Sequence, residues 1–335
     1  MSTAQPFDHF PDSTLTGTYT PDLGEFLNEH PRLGVNLQSM YAYGGGRAED
    51  GSLFVVHRKF LASMTGGLTV MSSQSGSMQM LPGTPYSARG EVRRVRTPEE
   101  FRWFEPLMQR IPEDLRLPGE QPLDLSVTND ALRWDEGNLL NLSGSICATG
   151  VKLYCSLEKA GMLYTSQPYA VEGVIDGRRM QGTIFLDAIY FRPHGAEWKE
   201  TEFYTDRQVF WNLYANQLQD GTTQFGHLVR CTNGMNLVCM VEGDRVVAST
   251  DQMEASFQLD DDGNIDRGAY RVDDTEIEFS GVPDGRMEGH SKARWGGYKS
   301  QAGEVRIKGD DRPVKVGFSW MEFFSDRIRS EGLAR

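Results

Sequence analysis

The sequence predicts an all-β protein made of two successive antiparallel, barrel-like halves with few short helices. Turn punctuation is the first reason. Asp-Gly or Asn-Gly stands at Asp50-Gly51, Asp176-Gly177, Asp220-Gly221, Asn233-Gly234, Asp262-Gly263 and Asp284-Gly285, and such pairs tolerate the positive φ angles of tight hairpins. The second reason lies between them, where runs rich in Val, Ile, Tyr, Phe and Thr alternate with polar residues, as strands with one buried face do. The third is what is missing. No Gly-x-Gly-x-x-Gly, no P-loop and no alternation of strand with helix occurs, which disfavours nucleotide-binding α/β folds.

Taken in order, strands are predicted over residues 52–61, 182–192, 209–218, 222–232 and 313–324, each flanked by a turn signal. Helices are few. Thr97-Pro98-Glu99-Glu100 reads as a capping box with Pro at the first helical position. It places Phe101, Phe104, Met108 and Ile111 on one helical face, with a kink at Pro106. Thr20-Pro21 opens a shorter helix reaching His30, and residues 111–122 read as a connecting loop. The strand pattern breaks at His194-Gly195-Ala196. The expected domains are therefore residues 1–194 and 195–335. Many short strands with regular turns suggest sandwiches or barrels, and a closed barrel leaves no strand edge and can hold one ligand in its lumen.

Composition narrows the partners. The 335 residues carry Asp+Glu 47 against Lys+Arg 34, a net charge of −13. An acidic surface repels phosphate backbones, so no nucleic acid is expected. Residues 1–11 lack a cationic start and an apolar run, which predicts no signal peptide and a cytoplasmic protein. No apolar run approaches the roughly 20 residues of a membrane span. Cys147, Cys155, Cys231 and Cys239 form no zinc-like spacing and read as free thiols. Neither a metal nor another cofactor is expected. A homodimer is the commonest soluble oligomer and is the expected assembly.

Residues 173–190 read Gly-Val-Ile-Asp-Gly-Arg-Arg-Met-Gln-Gly-Thr-Ile-Phe-Leu-Asp-Ala-Ile-Tyr. This resembles the segment ending the first domain of the tandem lipocalin-like proteins. That group includes carotenoid hydratases of the hydroxyneurosporene type, AttH-like proteins and fungal Diels–Alderases. In them an Asp-Gly-Arg turn leads to a Gly and then to an Asp-His-x-Trp-like element. Trp211-Asn212-Leu213-Tyr214, followed by Gln219-Asp220-Gly221, resembles the family's Trp-containing strand and Asp-Gly turn. Asp187 matches the family's Asp, whereas Ala188 stands at the His position and Tyr190 at the Trp position, so chemistry that depends on that His does not carry over. The resemblance implies two lipocalin-like domains, a hydrophobic substrate, and hydration, elimination, isomerisation or cyclisation without a redox cofactor.

Three groups of residues are candidates for a site. A two-residue loop at Asp220-Gly221 would set Tyr214 opposite His227, Asn212 opposite Val229, Asn216 opposite Phe225 and Trp211 opposite Arg230. One face then carries Asn212, Tyr214, Asn216, Phe225 and His227, aromatic bulk beside hydrogen-bonding groups, as a ligand pocket needs. Tyr and His also exchange protons. The alternative is a partly solvated outer face. Trp211, on the other face, reads as core with a cation–π contact to Arg230 and has no catalytic part; it is also a candidate contact for the ligand. The second candidate is Asp187, which shares a face with Thr183, Phe185, Ile189 and Phe191. Apolar surroundings raise a carboxyl pKa and suit it to general acid catalysis, the alternative being a structural Asp. The third is Arg58 on the apolar face of Phe54, Val56 and Phe60, either binding a ligand anion or closing a salt bridge; His57 then points away and is exposed. Tyr41, Tyr43, Tyr154 and Trp134 are placed in the first barrel, and Tyr190 is a further candidate for contact with substrate. Together these predict a lyase, hydratase or isomerase working by proton transfer from Asp187, His227 and Tyr214 on an aromatic or isoprenoid molecule, or else a carrier of such a molecule.

Overall fold

A computed structural model of the chain describes residues 14–19, 32–61, 64–66, 68–81, 90–91, 93–97, 99–104, 123–156, 161–191, 201–288 and 297–335. Two curled antiparallel sheets make up almost all of it, one per half. In the first, the strand Asn36–Ala48 lies between Leu53–Leu61 and the half's last long strand, Arg178–Phe191, which in turn pairs with Gly161–Ile175. In the second, Gln208–Leu218 lies between Thr223–Cys231 and Val314–Phe324, which pairs with Tyr298–Ile307. Asn36–Ala48 in the first half and the opening strand of the second thus each bond to the closing strand of their half, which curls the sheet upon itself.

Alternation of side chains across each strand sorts the buried residues into three apolar clusters. Ala42, Phe54, Val56, Leu186, Ala188 and Tyr190 belong to the interior of the first half. Phe210, Tyr214, Leu228, Tyr270 and Met321 belong to the interior of the second. The third cluster is drawn from both sheets: Tyr43, Val55, Tyr164, Phe185 and Ile189 from the first meet Trp211, Leu213, Phe225, Phe318 and Trp320 from the second. The inner halves of both sheets are therefore apolar on both faces. Gly45 lies at the contact, where a Cβ would stand 2.6 Å from the Phe318 ring and 2.4 Å from the Phe54 carbonyl oxygen; only glycine admits so close an approach.

The N-terminal strand Thr14–Tyr19 ties the halves together. It pairs with Gly150–Ser156 of the first sheet, while Thr16 Oγ1 bonds Ser249 Oγ at 2.8 Å and the Cys239 thiol donates to the Gly17 carbonyl at 3.3 Å. Gln217 Nε2 donates to the Gly182 carbonyl at 3.0 Å, and Thr149 N–H to the Gly243 carbonyl at 3.0 Å. The four cysteines are free.

Two sequence expectations are corrected here. Thr97 Oγ1 does accept the N–H groups of Glu99 and Glu100, at 3.2 and 3.0 Å. The chain then continues as the strand Glu100–Phe104, with Phe101 and Trp103 buried, paired to Asp124–Thr128. A Thr-led turn satisfies the same donors whether a helix or a strand follows. The rest of that expected helix, the one from Thr20 to His30, the loop at 111–122 and the boundary at His194-Gly195-Ala196 lie outside the described residues. The short helices that are described are Ser325–Ser330, a π-turn at Phe203–Arg207 and a 3₁₀ turn at Thr232–Gly234.

The second correction is the register of the Asp220-Gly221 hairpin. Its loop has three residues, Gln219 to Gly221: Leu218 N–H bonds the Thr222 carbonyl at 2.8 Å, and only Gly221, at φ +88, is left-handed. At Asp176-Gly177 both residues have positive φ, and Ile175 pairs directly with Arg178. One dipeptide serves both loops. The extra residue shifts the pairing by one, so Tyr214 faces Gly226, Leu213 faces His227, Asn216 faces Gln224 and Arg230 faces Phe210. A one-residue slip moves a strand's side chains to the opposite face.

Candidate functional site

The shift of register separates the residues expected on one face. Tyr214 turns into the second half's interior, its ring lying where a Cβ on Gly226 would approach to 2.7 Å. Asn212 and Asn216 turn the same way and are committed to structure. Asn212 donates to Tyr270 Oη at 3.0 Å and accepts from Ser319 Oγ at 2.5 Å, and Asn216 donates to the Val305 carbonyl at 2.9 Å. His227, Phe225 and Trp211 turn to the junction between the halves. The Tyr214–His227 pair is thus replaced by a contact of His227 with Tyr164 of the other half.

Asp187 reaches the same junction. Its strand alternates cleanly: Ile184, Leu186 and Ala188 enter the first half's interior, whereas Phe185, Asp187 and Ile189 face the second half. Tyr164 Oη donates to Asp187 Oδ2, and Tyr43 Oη lies 3.2 Å from Tyr164 Oη. Ser166 is the cross-strand partner of Asp187. The Tyr164 ring meets Trp211 edge-on at 4.6 Å and His227 at 4.9 Å, and the Trp211 and His227 rings are 5.2 Å apart. Asp187 Oδ1 and both ring nitrogens of His227 have no hydrogen-bond partner. Leaving a buried polar group unpaired costs roughly 1–3 kcal/mol, so this cluster is maintained against stability.

Burial sets its protonation. Enclosure pushes the Asp187 carboxyl up to about 7; the nearby hydroxyls of Ser166, Tyr164 and Tyr43 hold it down, and the charge of Glu322 pushes it up further. Burial alone drives His227 well below its ordinary value, so its imidazole is neutral. Near neutral pH the junction therefore offers a carboxyl poised between its two forms and an imidazole free of its extra proton.

The remaining candidates lie elsewhere. Arg58 is fully buried in the first half: its Nε donates to Glu136 Oε1 at 2.9 Å, a second bond joins Nη2 to Glu136 Oε2, and Nη1 reaches the Gly66 carbonyl at 2.6 Å. Trp134 Nε1 donates to the same Glu136 at 2.9 Å. The guanidinium is thus held by a buried structural ion pair. Tyr190 packs in the same interior, with the Arg32 guanidinium 5.7 Å from its ring. Trp134 and Tyr154 also belong to that core, but Tyr43 and Tyr41 lie on the opposite, junction-facing side. His57 is there too, half-buried rather than exposed, 5.3 Å from the Tyr41 ring and 6.2 Å from Trp320. Tyr41, His57, Lys59 and Glu322 are half-buried and mark the rim of the junction. An open polar groove of about 540 Å³ on the second half, lined in part by Arg230, Asn236 and Arg271, contains none of these residues.

Sequence reasoning missed Tyr164 and Glu322. Tyr298 donates to the Glu322 carboxyl, and Trp320 Nε1 donates to its Oε1 at 3.0 Å; burial raises its pKa. The signal that could have found both is a repeat: Tyr164-Thr165-Ser166-Gln167 recurs as Tyr298-Lys299-Ser300-Gln301.

No family model and no curated protein matches the chain. Solved structures similar to it are an AttH-like protein of Nitrosomonas europaea, CghA, and the kievitone hydratase of Nectria haematococca. The first is 12% identical, covers 88% of this chain and 95% of its own, and has a TM-score of 0.46. CghA is 11% identical over 93% of this chain and 99% of its own, with a TM-score of 0.43. The hydratase is 8% identical over 93% and 98%, with a TM-score of 0.39.

Proposed function

We propose that this protein is a lyase, hydratase or isomerase that needs no redox cofactor and acts on a hydrophobic, aromatic or isoprenoid molecule at the junction of its halves. The observation that carries this reading is a buried carboxyl, Asp187, and a buried imidazole, His227, both in contact with the Tyr164 side chain, with Trp211 and Phe225 against the imidazole; burial favours the protonated carboxyl and the neutral imidazole. Asp187 Oδ1 is the atom free to contact substrate, since Tyr164 already occupies Oδ2. Asp187 gives its proton to a leaving or receiving oxygen or to a carbon, and His227 accepts one from carbon or water. Aromatic walls bind a flat or polyene molecule, and excluding water strengthens both transfers. The half-buried rim of Tyr41, His57 and Lys59 gives such a molecule its approach.

A carrier is the second reading, and the unpaired nitrogens of His227 favour it: a polar ligand group would satisfy them without any chemistry. Mass spectrometry of small molecules retained by the purified protein identifies the ligand class for either reading, and incubation with that ligand separates them. With turnover, Asp187→Asn and His227→Phe each lower the rate by about 10²–10⁴-fold while the fold is kept. Wild-type rates in both variants would remove the assignment, and a ligand returned unchanged by the wild-type protein would make it a carrier.

A further inference from the structure

The two halves repeat around the junction, residue for residue. In the first, Ser166 is the cross-strand partner of Asp187, and Tyr164 that of Ile189, two positions further along. In the second, Ser300 is the partner of Glu322, and Tyr298 that of Phe324, again two positions on. On its other side Asp187 faces Tyr41, and Glu322 faces Trp211. In each half the tyrosine hydroxyl donates to the carboxyl. In each, the following glutamine is anchored to its own half: Gln167 Nε2 donates to the Ala148 carbonyl at 2.8 Å, and Gln301 Nε2 to the Ile265 carbonyl at 2.7 Å. Phe185-Leu186-Asp187 and Trp320-Met321-Glu322 complete the correspondence, an aromatic residue two positions before each acid. Both acids face the junction, because Phe185 and Trp320 on the same sides of their strands belong to the shared cluster.

Resting on the junction reading above, we infer that Asp187 and Glu322 are the two members of one proton-carrying pair, a carboxyl from each half, and that the junction works with a single proton between them. Their surroundings set the division of labour. Asp187 is 2% exposed and is faced by Tyr43, Tyr164, Ser166 and, from the other half, Glu322. Glu322 is half-buried and is faced by Tyr298, Ser300, Trp320 and Trp211, with Tyr204 beside it. Arg327, beside Tyr204, is occupied by the carbonyls of Tyr204, Thr205 and Gln208 and lies 3.9 Å over the Phe324 ring, and Lys299 stands opposite Phe323, the residue after Glu322. Glu322 ionises first, and its negative charge then opposes ionisation of Asp187. Asp187 delivers its proton to one atom of a bound molecule; the proton that leaves a second atom or an added water, taken up first by His227 as above, ends on Glu322. One proton enters the substrate and one leaves, so isomerisation and hydration both balance with no oxidant. The pair resets when Asp187 regains a proton from Glu322, the less enclosed of the two carboxyls.

The titration that tests the pair needs no ligand. Infrared spectroscopy in D₂O follows the protonated-carboxyl stretch as pH is varied. The wild-type protein is expected to show a carboxyl titrating near pH 7 that Asp187→Asn abolishes. Glu322→Gln should keep that band but lower its midpoint by about one pH unit, because a like charge has been removed. Glu322→Asp should restore the wild-type midpoint. If the amide variant is unstable, Glu322→Leu removes the same charge and gives the same reading. A midpoint unmoved by loss of Glu322 overturns the pair. Loss of turnover in Asp187→Asn with an unmoved midpoint would retain the proposed function and discard only this inference.

Discussion

At Asp187 the folded protein holds a proton up to about pH 7, whereas an unfolded chain releases it near ~3.9. Between those values the folded state binds the extra proton, so this group's contribution to stability falls as pH rises, by roughly 4 kcal/mol across the window. His227 acts in the opposite sense. Its folded pKa lies well below its ordinary value, so stability is lost as pH drops below ~6.5 and the unfolded chain takes up the proton. Urea unfolding of Asp187→Asn should therefore lose the decline between pH 5 and 7, and His227→Phe should lose the acid-side fall. An Asp187→Asn profile with the wild-type slope would mean that the carboxyl is ionised in the native protein. Both residues were legible as candidates, because alternation placed one among apolar neighbours and the other beside aromatics. Their shared environment was not, since nothing local indicates which two sheets will stack. Arg58 was legible as an unusual guest on an apolar face, but Glu136, which holds it, is 78 positions away in the chain.

Strand positions were legible wherever alternation was long, as at Leu53–Leu61 and Val314–Phe324. Pairing was not. The dipeptide Asp-Gly closes a two-residue loop after Ile175 and part of a three-residue loop after Leu218, and both satisfy the glycine's preference for positive φ. What distinguishes them is whether the aspartate also goes left-handed, which sequence does not dictate. A clue lay at Gly226, a position that gains from having no side chain only if an aromatic ring covers it. Gly226→Ala is accordingly expected to cost about 1–3 kcal/mol by pressing on the Tyr214 ring. Placing it in a Tyr214→Ala background should remove most of that cost, as coupled neighbours do. Equal penalties in the two backgrounds would contradict the observed register. Thr97 teaches the same lesson at a turn: its hydroxyl caps the N–H groups as expected, yet the alternation of buried and half-buried residues along Glu100–Phe104, with Phe101 and Trp103 inward, belongs to a strand.

At the scale of the molecule, the third apolar cluster is what the two-barrel expectation did not contain. Two self-sufficient barrels would present polar outer faces to each other. Here Phe185, Tyr164 and Val55 lie against Phe225, Trp211 and Trp320, all within one cluster. Separating the halves would expose these side chains, each worth roughly 1.5–3 kcal/mol on burial, together with the unpaired polar atoms among them. The protein should therefore unfold as one cooperative unit. In a variant that keeps only Trp211 and Trp320, with the other four tryptophans replaced by phenylalanine, fluorescence reports on the junction, and far-ultraviolet circular dichroism reports on both sheets. Coincident urea transitions are expected, and a fluorescence change that precedes loss of strand signal would show halves that come apart first.

The repeated Tyr-x-Ser-Gln strand has a consequence for direction. Two copies of one chain related by a twofold axis would set the same carboxyl on each side of a bound molecule, with one affinity for the proton, and could not tell one end of that molecule from the other. Covalent linkage of the copies lifts that symmetry. The first carries an enclosed aspartate and the second a half-buried glutamate, so under the proposed function the two ends of a substrate would meet different acids, and the handedness of the product would follow from which copy of the repeat each end faces.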